Sequence, residues 1–305
     1  MTTMAEDHNH SHHRAPDNLN IAFAIAVALN IALVIAQVGY GVFAHSVALL
    51  ADAGHNFGDV LGLLLAWGAV ILSRKNPTAK YTYGFRSTSI LAALLNGGLL
   101  LVATGAIAWE AIQRVAEPTP VAGATVVVVA AIAILVNSFS AWLLRNKHDD
   151  LNARGAFLHL VSDAAVSLGV LVGGLVILKT GWYWVDPVVS LGISLVIVWS
   201  TWGLLREAVN MSLDAVPASI NPNEVRKYLE GLAGVVRIHD LHIWPISTTE
   251  VALTCHIIMP KGHPDDSFMA KVAEELQEKF GISHTTLQSE LGTEEDCALE
   301  PAEVV

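Results

Sequence analysis

Six apolar runs, at 19–43, 47–72, 90–109, 121–144, 155–178 and 187–205, constrain this chain more than any other feature. Each is long enough to cross a hydrocarbon core about 30 Å thick, which takes about 20 helical residues. Lipid satisfies no backbone polar group, so each run is expected to close its own hydrogen bonds as a helix. Composition agrees: 53% of residues are hydrophobic and 15% charged, against about 25% charged in a soluble domain. The connections give an orientation. Arg74, Lys75, Lys80 and Arg86 lie between runs two and three, Arg145, Lys147 and Arg154 between four and five, and Arg206 after six. The opposite loops carry only Arg114 and Lys179. The positive-inside rule therefore predicts cytoplasmic N- and C-termini. Trp182, Tyr183 and Trp184 read as an aromatic belt at the outer face. Polar, His-containing sequence precedes the first run, so no cleavable signal peptide is expected.

Ionisable residues inside the runs are confined to two places. Run two holds Asp52, His55 and Asp59; run five holds His159 and Asp163. A carboxylate near mid-bilayer costs at least about 2.5 kcal/mol, so such groups normally face a protein interior or a water-filled path. His55 with Asp59, and His159 with Asp163, each form His-x-x-x-Asp, which puts both side chains on one helical face. At 1.5 Å per residue, Asp59 lies about 18 Å along its helix from the outer end, and the second pair about 6–12 Å from the inner end. The pairs can thus meet at middle depth. Two imidazoles and two carboxylates make a four-ligand set that suits zinc. Asp52 lies one turn before His55 and reads as a group that supports a ligand or lines the path, with proton acceptance as a further role. Asn30, Gln37, Asn96 and Asn137 are expected to hydrogen-bond between helices, and Gly54, Gly58 and Gly62 to permit close helix approach.

Outside the runs, residues 1–18 form a polar tail with His8, His10, His12 and His13, either a weak metal-capture tract or incidental histidines. The membrane region is assigned to 19–208 and a small C-terminal domain to 209–292, with an acidic tail at 293–305. In the C-terminal domain, helices are expected at 222–232 and 267–280, and strands at 235–245, 250–259 and 284–291. The order is αββαβ, an α+β domain. It carries His239, Asp240, His242, His256, His263, His284 and Glu290, while Cys255 and His256 should point to opposite faces of a strand. Two cysteines, Cys255 and Cys297, are too few for a disulfide framework. A net charge of −11 excludes the basic surface of a nucleic-acid binder.

Four motifs together resemble the cation diffusion facilitator family, in its zinc-transporting branch, over nearly the whole chain. They are His-Ser-Val-Ala-Leu-Leu-Ala-Asp-Ala-Gly-His-Asn-Phe-Gly-Asp (45–59), Tyr-Gly-Phe-Arg (83–86), His-Leu-Val-Ser-Asp (159–163) and His-Asp-Leu-His-Ile-Trp (239–244). The resemblance implies a homodimer in the lipid bilayer, with six transmembrane helices per protomer and a ferredoxin-like, metallochaperone-like cytosolic domain. It implies a zinc/proton antiporter that exports zinc from the cytosol by alternating access, with His55, Asp59, His159 and Asp163 as the transport site. His at the first of these positions, rather than Asp, is associated in that family with favouring zinc over cadmium. His239, His256 and Glu290 match a cytosolic metal site of the family, where zinc would be regulatory. Three departures stand out: the branch usually has a Glu near the position of Ser89, the loop between runs two and three has no histidine, and the loop between runs four and five is short, unlike the long His-rich loop of many eukaryotic members; Gln288 also stands where some relatives have a histidine. The short loop between runs four and five is similar to that of bacterial members, implying an inner-membrane location.

The chain does not read as an enzyme. An intramembrane metalloenzyme would need a general base and an open metal position, as in His-Glu-x-x-His, and that motif is absent. A membrane metal sensor signalling through its cytosolic domain is the remaining alternative.

Overall fold

The computed structural model describes residues 17–144, 151–263 and 265–292. The N-terminal histidines, Arg145, Lys147 and Cys297 lie outside the described residues. Six long helices come first: α1 (Asp17–Phe43), α2 (Val47–Ser73), α3 (Thr88–Ala116), α4 (Gly123–Leu144), α5 (Leu151–Thr180) and α6 (Val185–Ser212). All six are long and apolar enough to cross a membrane. Large apolar side chains stand open along them, among them Trp199 at 83% and Phe43 at 74% exposure. Water would not tolerate so much continuous apolar surface, whereas lipid favours it.

All but α4, which begins at Gly123, run further than the apolar spans. Helix α3 continues through Glu110 and Arg114, and α6 begins one residue before Asp186 and continues through Arg206 and Glu207. Polar ends extend the helices because Glu110 and Arg114 form an i,i+4 ion pair at 2.8 Å, and because Asp186 has a structural task.

By contacts the chain divides into two compact units, Met1–Val60 with Ala103–Ile197, and Leu61–Val102 with Val198–Val305. In the first unit, α5 packs along α4 and α4 along α1. Small residues make the α4–α5 approach close: a Cβ on Gly174 would sit 2.9 Å from Val126 Cγ1. Gly169, on the same helix, has open space instead.

The start of α2 is fixed by a buried carboxylate. His45 adopts a left-handed conformation (φ 53°) in the turn after α1, and its carbonyl accepts from Arg114 Nη1. Ser46 then caps α2, its Oγ accepting from Leu49 N at 3.1 Å. The same hydroxyl donates to Asp186 Oδ1, while Val47 N and Ala48 N donate to Asp186 Oδ2 at 2.7 and 3.3 Å. Asp186 is 1% exposed and sits against the positive end of the helix.

In the second unit, the C-terminal part comprises α7 (Pro222–Glu230), β1 (Arg237–Pro245), β2 (Val251–Ile258), α8 (Asp266–Phe280) and β3 (Ile282–Glu290). This is the expected αββαβ order. The sheet order is β1-β2-β3, with β1 antiparallel and β3 parallel to β2. A parallel neighbour requires a crossover, and α8 supplies it. Its apolar residues Val272 and Leu276 are buried beside Leu253, Ile257 and Ile282. Within this unit the turn before α3 meets the β1–β2 turn: Arg86 pairs with Glu250 at 2.9 Å, and Ser89 Oγ accepts from Thr248 N at 3.1 Å. Ser89 also donates to the Arg86 carbonyl at 2.9 Å, so the serine takes a local hydrogen-bonding role.

Candidate metal centres

The first candidate centre follows from helical spacing on α2 and α5. Asp52, His55, Asn56 and Asp59 recur at three- and four-residue intervals, so they share one face of α2; His159, Asp163 and Ser167 do the same on α5. The two faces meet as an antiparallel ladder. His159 Nε2 lies 3.1 Å from Asp59 Oδ2, and His55 Nε2 lies 3.3 Å from Asp163 Oδ1. His159 Nε2 is also 3.7 Å from Asp163 Oδ2, and the two imidazoles stand edge to face with centroids 6.1 Å apart. Ligand atoms of His55, Asp59 and Asp163 all fall within 4.8 Å of one another. Each histidine thus meets the carboxylate of the opposite helix, and His159 stands beside that group of three through Asp59 and Asp163. The donor set, two nitrogens and two oxygens, fits a tetrahedral divalent cation.

Exposure rises along the ladder. Asp163 and His55 side chains are 3% and 14% exposed, while Asp59 and His159 are 32% and 46% exposed. The third step, Asp52 with Ser167, is fully buried. There Gln37 Nε2 donates to Asp52 Oδ2 at 2.6 Å and Ser167 Oγ donates to the same oxygen at 2.9 Å. Asn56 Nδ2 donates to Gln37 Oε1 at 3.0 Å. Gln37 therefore makes the interhelical contacts expected of it. Asn30 does not: its amide donates to Ala26 O on its own helix. Asn96 and Asn137 keep buried side-chain atoms without partners among the described residues.

The second candidate centre is built by sheet register. His239 on β1 pairs with His256 on β2, His256 pairs with Gln288 on β3, and Glu290 lies two residues further along the same face. Glu290 receives both imidazoles, His256 Nδ1 at 2.7 Å and His239 Nε2 at 3.1 Å, and the rings stand 4.9 Å apart. Burial pushes the Glu290 carboxyl up, but the His239 and His256 hydrogen bonds outweigh it and hold the group below its ordinary range. Gln288 does not interrupt the cluster; its Nε2 donates to Glu290 Oε1 at 3.2 Å.

Sheet register alone does not bring Asp240 to this cluster. A bulge between His239 and His242 sets Asp240 and Leu241 opposite a single residue, with Asp240 left-handed at φ 51°. The bulge turns Asp240 onto the histidines, 3.5 Å from His256 Nε2 and 2.7 Å from His242 Nε2. An uninterrupted strand would have sent it to the other face. His263 and His284 stay outside the cluster: His263 Nδ1 faces Asp265 O, and His284 stacks edge-on to Tyr83. Cys255 faces away and donates to His239 O at 3.6 Å; burial pushes its thiol up to about 12.

Six membrane-length helices, two of which bring histidine and aspartate side chains together, define a membrane protein that handles cations. Comparison with known proteins places it more closely. The chain belongs to the cation efflux family: residues 23–211 match the cation efflux transmembrane domain, and residues 217–291 match the cation efflux protein cytoplasmic domain. The family consists of transporters, not enzymes. The chain is 35% identical over 293 residues to the zinc transporter ZitB of Shigella flexneri, covering 94% of this chain and 93% of that one. It is 32% identical over 289 residues (93% and 91%) to a cadmium, cobalt and zinc/H(+)-K(+) antiporter of Bacillus subtilis. It is also 33% identical over 290 residues (94% and 91%) to the metal cation efflux system protein CzcD of Cupriavidus metallidurans.

Proposed function

We propose that this protein exports zinc from the cytosol in exchange for protons, by alternating access at a site formed by His55, Asp59, His159 and Asp163. The observation that carries the reading is the convergence of these four side chains from two membrane-length helices. The names of the relatives, a zinc transporter and an antiporter of cadmium, cobalt and zinc, support the class of cargo. Zinc requires neutral imidazoles and ionised carboxylates, so its binding expels protons and proton binding expels zinc. Coupling follows from that competition. The rise in exposure toward Asp59 and His159 supports loading from that end, which loop charge assigns to the cytoplasm.

In this reading residues 19–208 lie in the inner membrane with both termini cytoplasmic. The domain 209–292 pairs two protomers, in keeping with the short name of its family, ZT_dimer. His239, His256 and Glu290 would hold a regulatory zinc there. The set fits: two imidazoles and a carboxylate converge, and His239 Nδ1 is buried without a partner among the described residues.

The test is zinc flux into proteoliposomes under an imposed pH gradient, comparing the native chain with Asp163→Ala. Flux that follows the gradient and vanishes in the variant is expected. Flux indifferent to the gradient would overturn proton exchange, and flux preserved in Asp163→Ala would overturn the site. No flux from native protein, with zinc still bound, would favour a sensor.

A further inference from the structure

Two complementary atoms in the first candidate centre are buried without partners. Among the described residues, His55 Nδ1 and Asp52 Oδ1 find no hydrogen-bond partner. They lie three residues apart on one face of α2, where Cβ atoms are about 5–6 Å apart. Asp52 Oδ2 is already occupied by Gln37 and Ser167, so the carboxylate is anchored from α1 and α5 with its second oxygen unused. His55 directs its other nitrogen, Nε2, at Asp163 among the candidate ligand atoms. Once Nε2 is given to a cation, Nδ1 must carry the proton and becomes a buried donor. A buried donor without an acceptor costs about 1–3 kcal/mol.

We propose that Asp52 is the positioning residue for His55: on cation binding, His55 Nδ1–H donates to Asp52 Oδ1, fixing the tautomer and orientation of the imidazole and raising its basicity as a ligand. The role rests on the transport-site reading above and specifies what it leaves open, namely why a third carboxylate is buried beside the ligands. Gln37 and Ser167 hold that carboxylate still, and Asn56 holds Gln37 through its Oε1. Asp52 itself lies outside the group of candidate ligand atoms. Carboxylates placed behind a ligating histidine are typically worth about 10–100-fold in metal affinity.

A double-mutant cycle on the full-length protein separates this from mere helix packing. Asp52→Asn, which keeps the side-chain size, is made in the native chain and in His55→Asp, where the ligand is a carboxylate with no second nitrogen. In proteoliposomes, the zinc KM is expected to rise about 10-fold or more in the native background and by less than about threefold in the His55→Asp background, where only through-space charge remains. An equal rise in both backgrounds, or a rise below about twofold in the native one, would overturn the role. The second measurement is a spectrum of zinc-loaded protein labelled with 15N in its histidine rings. It should show a His55 Nδ1 proton protected from exchange in the native chain and unprotected in Asp52→Asn. A proton equally protected in both would also overturn the role. Asp163→Ala tests the underlying reading separately: if it still transports, the ligand set is wrong and the Asp52 role falls with it. If it does not, the cycle judges Asp52 alone.

Discussion

Asp186→Ala should be among the most damaging single substitutions outside the candidate metal centres. The carboxylate accepts a charge-assisted bond from Val47 N at 2.7 Å, a longer one from Ala48 N at 3.3 Å, and the Ser46 hydroxyl. The cluster is buried, with Asp186 at 1% and Ser46 at 0% exposure. A bond to a charged partner contributes about 1.5–3 kcal/mol, and a donor left buried without an acceptor costs about 1–3 kcal/mol. Taking the short bond at full weight and the longer contacts at less, Asp186→Ala should cost about 3–4 kcal/mol. Asp186→Asn keeps one acceptor but loses the charge facing the helix N-terminus, and should cost about 1–2 kcal/mol. Ser46→Ala removes a helix cap, which is worth about 1 kcal/mol. The unfolding free energy of the full chain in mixed micelles should therefore rank the three in that order. If Asp186→Ala lies within about 1 kcal/mol of native, or costs less than Ser46→Ala, the carboxylate does not hold the start of α2 as described.

Glycine packing gives a paired prediction on α5. Gly174→Ala, with a Cβ 2.9 Å from Val126, should cost about 1–3 kcal/mol by overpacking, whereas Gly169→Ala has open space and should be neutral or slightly stabilising; the same micelle unfolding measures both. The Arg86–Glu250 pair is 40% and 35% exposed, so a double-mutant cycle should yield only about 0.2–1 kcal/mol and lose it in high salt. Cys255, with its thiol pushed up to about 12, should resist maleimide at neutral pH in a Cys297→Ser chain and react once the chain is unfolded. Labelling of the folded chain at the rate of a free thiol would refute that burial.

The spans and the four candidate ligands were legible because both rest on short-range rules. Apolar length marks a membrane helix, and His-x-x-x-Asp marks a shared face. Pairing across helices is a long-range property, and spacing alone did not reveal that His55 meets Asp163 while His159 meets Asp59. Asp186 escaped notice for a related reason. A lone Asp before Pro187 resembles a loop residue until α2 is folded against it. Asp240 was obscured by the bulge, since strict alternation assigns it to the face opposite His239. Asn30 erred the other way: a polar residue in an apolar run suggests an interhelical bond, but its own backbone offered a nearer acceptor.

The order of groups along α2 gives the ladder a direction. From the capped N-terminus at Ser46 the helix passes the Asp186 contacts, then Asp52, then His55, then Asp59, over about 20 Å at 1.5 Å per residue. The first two stations are fully buried carboxylates held by Ser46, Gln37 and Ser167, side chains of three different helices or turns. The last pairs with a histidine that is 46% exposed. Buried polar networks are rigid because every lost contact strands a group away from water, whereas half-exposed ion pairs exchange partners at little cost. The ladder is thus anchored at the end nearest Asp186 and adaptable at the end nearest Asp59.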